Sequence, residues 1–135
     1  MNPAFRVHER LEADTRFVAD WTLSRLLLAD DCRFPWLILV PRRSKASEIH
    51  DLTRDDRALL MEEIARAGRG LLCITGLAKI NIGTLGNIVP QLHVHIVGRH
   101  PRDTAWPGPV WGQGKVVPYF PSARATLIGR LREEL

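Results

Sequence analysis

His93 and His95 stand two residues apart in the run Gln91-Leu92-His93-Val94-His95-Ile96-Val97-Gly98-Arg99. Polar Gln91, His93 and His95 alternate with apolar Leu92, Val94 and Ile96. That period of two predicts a strand with one wet face and one buried face. Residues two apart on a strand point the same way, with α-carbons about 6.6–7 Å apart. The wet face would then carry two imidazoles and an amide in a row. With a reference pKa of about 6.5, imidazole is a usable nucleophile and proton carrier at neutral pH.

Three chemistries fit such a pair. The plainest is two satisfied, partly exposed histidines on an ordinary strand. A metal site is the second, since neutral imidazole is the commonest metal ligand. It would need a third ligand such as His100 or Asp103, and the chain has no zinc-type cysteine spacing. Covalent catalysis is the third. One histidine attacks phosphorus and the other donates to a phosphate oxygen or to the leaving group. The neighbouring loop 83–87, Gly-Thr-Leu-Gly-Asn, could then offer N–H groups to developing negative charge.

The elements that must position this pair follow from patterning. Residues 7–14 read as a short helix or turn, and 15–19 and 23–28 as strands. Asp30-Asp31-Cys32-Arg33 is a polar turn. The run 36–40, stopped by Pro41, suits a central strand buried on both faces. The basic loop 41–45 reads as a solvated turn rather than a phosphate steerer. A long helix over 54–75 opens at Thr53, with Asp56 in the position of a capping-box acid. Leu60, Ile64, Ala67, Leu71 and Ile74 form its apolar stripe, and Gly76 suits the C′ position. Residues 78–82 return as a strand. The tail Trp106-Pro107-Gly108-Pro109-Val110-Trp111-Gly112 is either a flap over the core or a recognition surface. Pro121 and Ser122 open a short C-terminal helix with Leu127, Ile128 and Leu131 on its apolar side. Strands, one long helix, then strands point to an α+β fold with an antiparallel sheet.

The 135 residues suit one domain. A net charge of +4 and a pI near 9.7 favour anionic partners such as nucleotides, without choosing among them. Cys32 and Cys73 form no CxxC pair and read as buried or free thiols in a reducing compartment. Residues 1–10 hold charges and no apolar h-region, and no apolar run approaches the roughly 20 residues of a membrane helix. The cytoplasm is the expected location.

Gln-Leu-His-Val-His-Ile-Val-Gly-Arg resembles the signature of the histidine triad (HIT) superfamily, His-φ-His-φ-His-φ-φ with φ apolar. Leu39-Val40-Pro41, the long helix, Lys79-Ile80-Asn81, the Gly86-Asn87 loop and the Trp-Pro-x-Pro-Val-Trp-Gly tail arrive in the order of a bacterial branch of that family. The resemblance covers most of residues 5–112, leaving 113–135 as a C-terminal extension. It implies a HIT-like fold, with about five antiparallel strands, one long helix and a short C-terminal one. Members hydrolyse or transfer nucleotidyl groups from dinucleoside polyphosphates, phosphoramidates, acyl-adenylates or sugar nucleotides. The implied partner is a purine nucleotide or dinucleotide, with no cofactor, no metal and no specific nucleic acid. By the same resemblance His93 is the nucleophile on the α-phosphate, and His95 contacts the phosphate and assists the leaving group. Asn81, Gly86, Asn87 and Arg99 are the phosphate candidates. Asp30 or Asp31 would bind ribose, the shortened loop leaving the choice open.

Two departures from the pattern matter. Gln91 replaces the first triad histidine, which in the family orients the nucleophile's Nδ1 through its backbone carbonyl. Ile88 stands where many members carry a Ser or Thr relaying a proton, so amine leaving groups are disfavoured relative to phosphate. The reading is a nucleotidyl hydrolase or transferase, with a nucleotide sensor of vestigial turnover as the alternative. The resemblance also implies a two-fold homodimer, joined through the long helix and the strand after it. Leu59, Leu60, Leu71 and Leu72 supply more apolar surface than one stripe requires.

Overall fold

The computed structural model describes residues 4–135. The first three residues, part of the stretch read as having no apolar leader, lie outside the described residues. The elements run α1 (Glu9–Asp14), β1 (Thr15–Asp20), β2 (Ser24–Ala29), β3 (Trp36–Pro41), a 3-10 turn (Ile49–Asp51), α2 (Arg54–Thr75), β4 (Lys79–Gly83), β5 (Val94–Arg99) and α3 (Pro121–Glu134). The five strands form one antiparallel sheet in the order β1-β2-β3-β5-β4. The α+β fold expected from the patterning is the fold observed.

Helix α2 starts and stops where its chemistry directs. The Asp56 N–H donates to Thr53 Oγ1 at 3.1 Å, and Asp55 and Asp56 place negative charge against the positive end of the helix dipole. Gly76 closes it in the left-handed conformation, φ 72°, with its N–H on the Leu72 carbonyl. The predicted stripe from Leu60 to Ile74 is buried. Glu63, which the stripe omits, is buried too. Its carboxylate accepts from the N–H groups of Leu23 and Ser24 at 3.0 Å each, tying α2 to the start of β2.

Strand alternation divides the core between two faces. Leu26, Leu28, Leu37, Leu39, Val94 and Ile96 pack against α2, and Leu131 of α3 joins them. Burying each such leucine contributes about 1.5–3 kcal/mol. Leu27, Ala29, Ile38 and Val40 point the other way, where Leu11 of α1 and Val89 close over them. Farther along that face, Phe34 and Val97 meet Val110 of the tail. His93, His95, Val97 and Arg99 therefore share the face turned away from α2.

Three expectations need correcting. The face carrying the histidines is not wet, because all six residues of β5 are buried. That strand lies between β3 and β4, and the tail residues Val110 and Trp111 cover it. The basic loop 41–45 is not simply solvated: Arg42 pairs with Asp20 at 3.2 Å, and Arg43 makes two hydrogen bonds to Asp56. Part of the apolar surplus on α2 is used within the chain, since α3 packs on it and Leu135 sits against Gly70. Met61 on α2 and Ile82 on β4 stay exposed. Both cysteines are free and exposed, so the buried reading of them falls.

Candidate active site

The two histidines are held with opposite polarity. Nδ1 of His93 lies 2.7 Å from the Gln91 carbonyl oxygen. A carbonyl can only accept, so Nδ1 carries the hydrogen, and in the neutral ring Nε2 keeps its lone pair. Thr84, in the loop after β4, donates its hydroxyl to the His93 carbonyl at 2.8 Å and fixes the backbone there. His95 is contacted from β3, where the Trp36 indole N–H donates to its Nδ1 at 3.0 Å. The rings of His93 and His95 meet edge to face, with centroids 4.9 Å apart. Trp111 closes on His95 from the tail at 5.5 Å, and also fills the space above Gly83, the register partner of His95 on β4. Burial pulls the His95 imidazole down to about 4, with His93 adding to the effect.

Beside His95 opens a cavity of about 360 Å³. Leu11, Ala29, Trp36 and Ile38 give it apolar walls, and Asp30 and Asp31 lie along it. Both carboxylates already have partners. Asp30 accepts from the Tyr119 N–H and from Arg124, and Asp31 from Arg33 and the Val117 N–H. Burial raises the Asp31 carboxyl, but Arg33 and the backbone N–H groups outweigh it and hold it below the ordinary carboxylate range. Residues 116–119 are thus strapped across one side of the cavity by the aspartates themselves.

The remaining expected residues divide. Asn81 pairs with Val97 and so lies on the histidine face. Its Oδ1 accepts from Arg99 Nη1 at 2.7 Å, which leaves the amide NH₂ to donate elsewhere. Four of the five Arg99 guanidinium donors are taken within the chain. The group bonds Asp103 through two nitrogens and the Gly108 carbonyl through one, and is buried. The same pairing brings Asp103 down to about 2. Arg99 therefore ties the tail to β5 and holds Asn81. The Gln91 amide turns away from the histidines, its oxygen accepting from the His8 N–H and its nitrogen donating to the Arg6 carbonyl. Of Gln91, only the carbonyl reaches the site. Gly86, φ 70°, turns the loop into which Asn87 and the exposed Ile88 fall.

Trp36 and Trp111 escaped the reading as residues of the site. Trp36 was counted as one more apolar residue of β3. The available signal was that a buried indole N–H needs a partner. For a metal, the donors are few. Both Nδ1 atoms are occupied, and no group of three His, Cys, Asp or Glu side chains among the described residues could hold an ion.

The family model of the HIT domain matches residues 10–102. No curated protein matches the chain. Among solved structures, a histidine triad protein from Bradyrhizobium japonicum is 46% identical over 98% of each chain, with a TM-score of 0.95. One from Sinorhizobium meliloti 1021 is 46% identical over 97% of each, again at 0.95. A third, from Marinobacter aquaeolei VT8, is 41% identical over 98% of this chain and 97% of that one, at 0.95. The NitFhit protein of C. elegans, at 18% identity and a TM-score of 0.67, shares the fold. A histidine pair with fixed Nδ1 atoms, on the strand and sheet that the HIT-domain match spans, marks the chain as a bacterial member of the histidine triad superfamily.

Proposed function

We propose that the chain is a nucleotidyl hydrolase or transferase acting on a nucleoside 5′-phosphoryl compound through a nucleotidyl-His93 intermediate. The observation that carries this is the 2.7 Å contact between His93 Nδ1 and the Gln91 carbonyl, which leaves Nε2 as a lone-pair nucleophile. In the first step Nε2 bonds the α-phosphorus. The phosphorus–oxygen bond to the leaving group breaks, and its electron pair departs with that oxygen. Water, or another acceptor, then attacks phosphorus. The phosphorus–nitrogen bond breaks, its electrons return to Nε2, and the acceptor's proton passes to solvent.

The neighbours supply binding. The Asn81 NH₂ group and the backbone N–H groups of Gly86 and Asn87 donate to phosphate oxygens. The apolar cavity takes a purine base, and Asp30, the less buried of the two carboxylates, meets the ribose. A nucleotide-binding sensor with vestigial turnover is the second reading. The aspartates, which the chain's own donors already satisfy, bear on ribose binding in both readings alike. Incubation with a dinucleoside polyphosphate separates the two. Steady release of AMP supports the enzyme, and saturable binding without release supports the sensor.

A further inference from the structure

We propose that Trp36 is a positioning residue that locks His95 as the neutral Nε2–H tautomer, making it a hydrogen-bond donor that does not give up its proton. The indole N–H has a hydrogen to give and no lone pair to accept one. It lies 3.0 Å from Nδ1 of His95, so that nitrogen must present its lone pair. The neutral ring then carries its hydrogen on Nε2. A second proton would put Nδ1–H against the indole N–H and break the bond. Nothing near His95 relieves this. His93 on the same strand faces it, and Asp14, Asp30 and Asp31 line the cavity beside it without offsetting burial and His93. Asp30 and Asp31 are held by Arg124, Arg33 and backbone N–H groups. Of the other elements, β3 contributes Trp36 and Ile38, β4 contributes Gly83, and the tail contributes Trp111. The two histidines are thus complementary, His93 with Nε2 bare and His95 with Nε2 protonated.

Resting on the proposed activity, this polarity narrows the substrate class. A neutral imidazole does not release its N–H proton in water, so His95 stabilises the departing oxygen without protonating it. Ile88, at 70% exposure, brings no hydroxyl to relay a proton either. The leaving group must therefore carry the electron pair of the broken phosphorus–oxygen bond as its own stable anion. Phosphate and carboxylate groups do so, as in a phosphoanhydride or an acyl-nucleotide. An amine on phosphorus does not, because it must gain a proton as its bond breaks.

Long-range proton–nitrogen NMR of the histidine rings in the ligand-free protein at neutral pH tests the lock without any turnover. The expected result is His95 with Nε2 protonated and Nδ1 bare, and a Trp36 indole proton shifted by its hydrogen bond. Trp36→Phe should release the ring to a mixture of tautomers. A wild-type His95 protonated on Nδ1, or on both nitrogens, would overturn the proposal, whether or not the variant folds. Substrates that differ only in the leaving group test the second half. Without an acid, an amine substrate should lag a phosphate or carboxylate one by on the order of a hundredfold or more in kcat/KM. Equal rates would overturn the leaving-group assignment. Absence of turnover on every substrate would fall on the proposed activity and remove that assignment with it, while the tautomer stands or falls by NMR.

Discussion

Acid should unfold this protein in part through His95. In the folded chain burial and His93 bring its imidazole from 6.5 to about 4. In the unfolded chain it returns to about 6.5. Above that pH both states hold the ring neutral and there is no penalty. Between the two values the unfolded ring takes up a proton that the folded ring refuses, so stability falls as the pH falls. The loss accrues at about 1.4 kcal/mol per pH unit and reaches about 3 kcal/mol once the folded ring protonates as well. His95→Gln removes the titration and keeps an amide oxygen able to accept from the Trp36 indole. Urea unfolding followed by tryptophan fluorescence, at one protein concentration from pH 7.5 to 4, gives the two stability curves. Between those limits the wild type should lose about 3 kcal/mol more than the variant. The Asp103–Arg99 pair, its carboxyl held at about 2, begins to lose its stabilisation only below about pH 5, and does so equally in wild type and variant, so it cancels from the difference. Parallel curves, or a wild type that gains on the variant in acid, would show that His95 does not couple folding to protonation.

Gln91→Ala keeps the carbonyl that holds His93, so turnover should fall tenfold or less, about 1.4 kcal/mol of barrier. A loss as deep as that of His93→Ala, read in steady-state kinetics, would make the side chain catalytic. Asp103→Ala leaves the buried Arg99 guanidinium without its carboxylate and should cost about 3–5 kcal/mol in denaturant unfolding. A change under about 1 kcal/mol would show that the pair is solvated instead. We expect a homodimer, joined through α2 and the outer strand β4, where Met61 and Ile82 remain exposed. Light scattering at a few micromolar should give about twice the 15.3 kDa chain mass, and a monomer mass would rule the dimer out.

Local chemistry made much of the frame legible. Thr53 and Gly76 mark the ends of α2 because a helix end must satisfy its N–H and C=O groups nearby, whereas the Asp56 carboxylate, expected to complete a capping box, goes to Arg43 instead. The period of two set the histidines on one face, and the carbonyl of residue 91 was expected to hold His93 whatever its side chain. Contacts made across the chain were not legible. Trp36 and His95 are 59 residues apart, and nothing in an apolar run says which indole will meet which imidazole. Arg99 looked available because two of its three partners, Asp103 and Gly108, come from a tail without periodicity. That tail also made the histidine face look wet, since cover supplied by an irregular loop leaves the alternation of the strand unchanged. Glu63 was hidden because a carboxylate on an apolar stripe reads as solvent-facing until β2 brings it two N–H donors.

The proposed covalent bond from His93 to the nucleotide can be trapped. The protein would be mixed briefly with an α-phosphate-labelled dinucleoside polyphosphate, quenched under denaturing alkaline conditions, digested and read by mass spectrometry. The expected result is a nucleotidyl group on the peptide carrying His93, absent from His93→Ala even though that variant still binds AMP. Label on His95 instead, or steady AMP release with no labelled histidine at any time point, would contradict it.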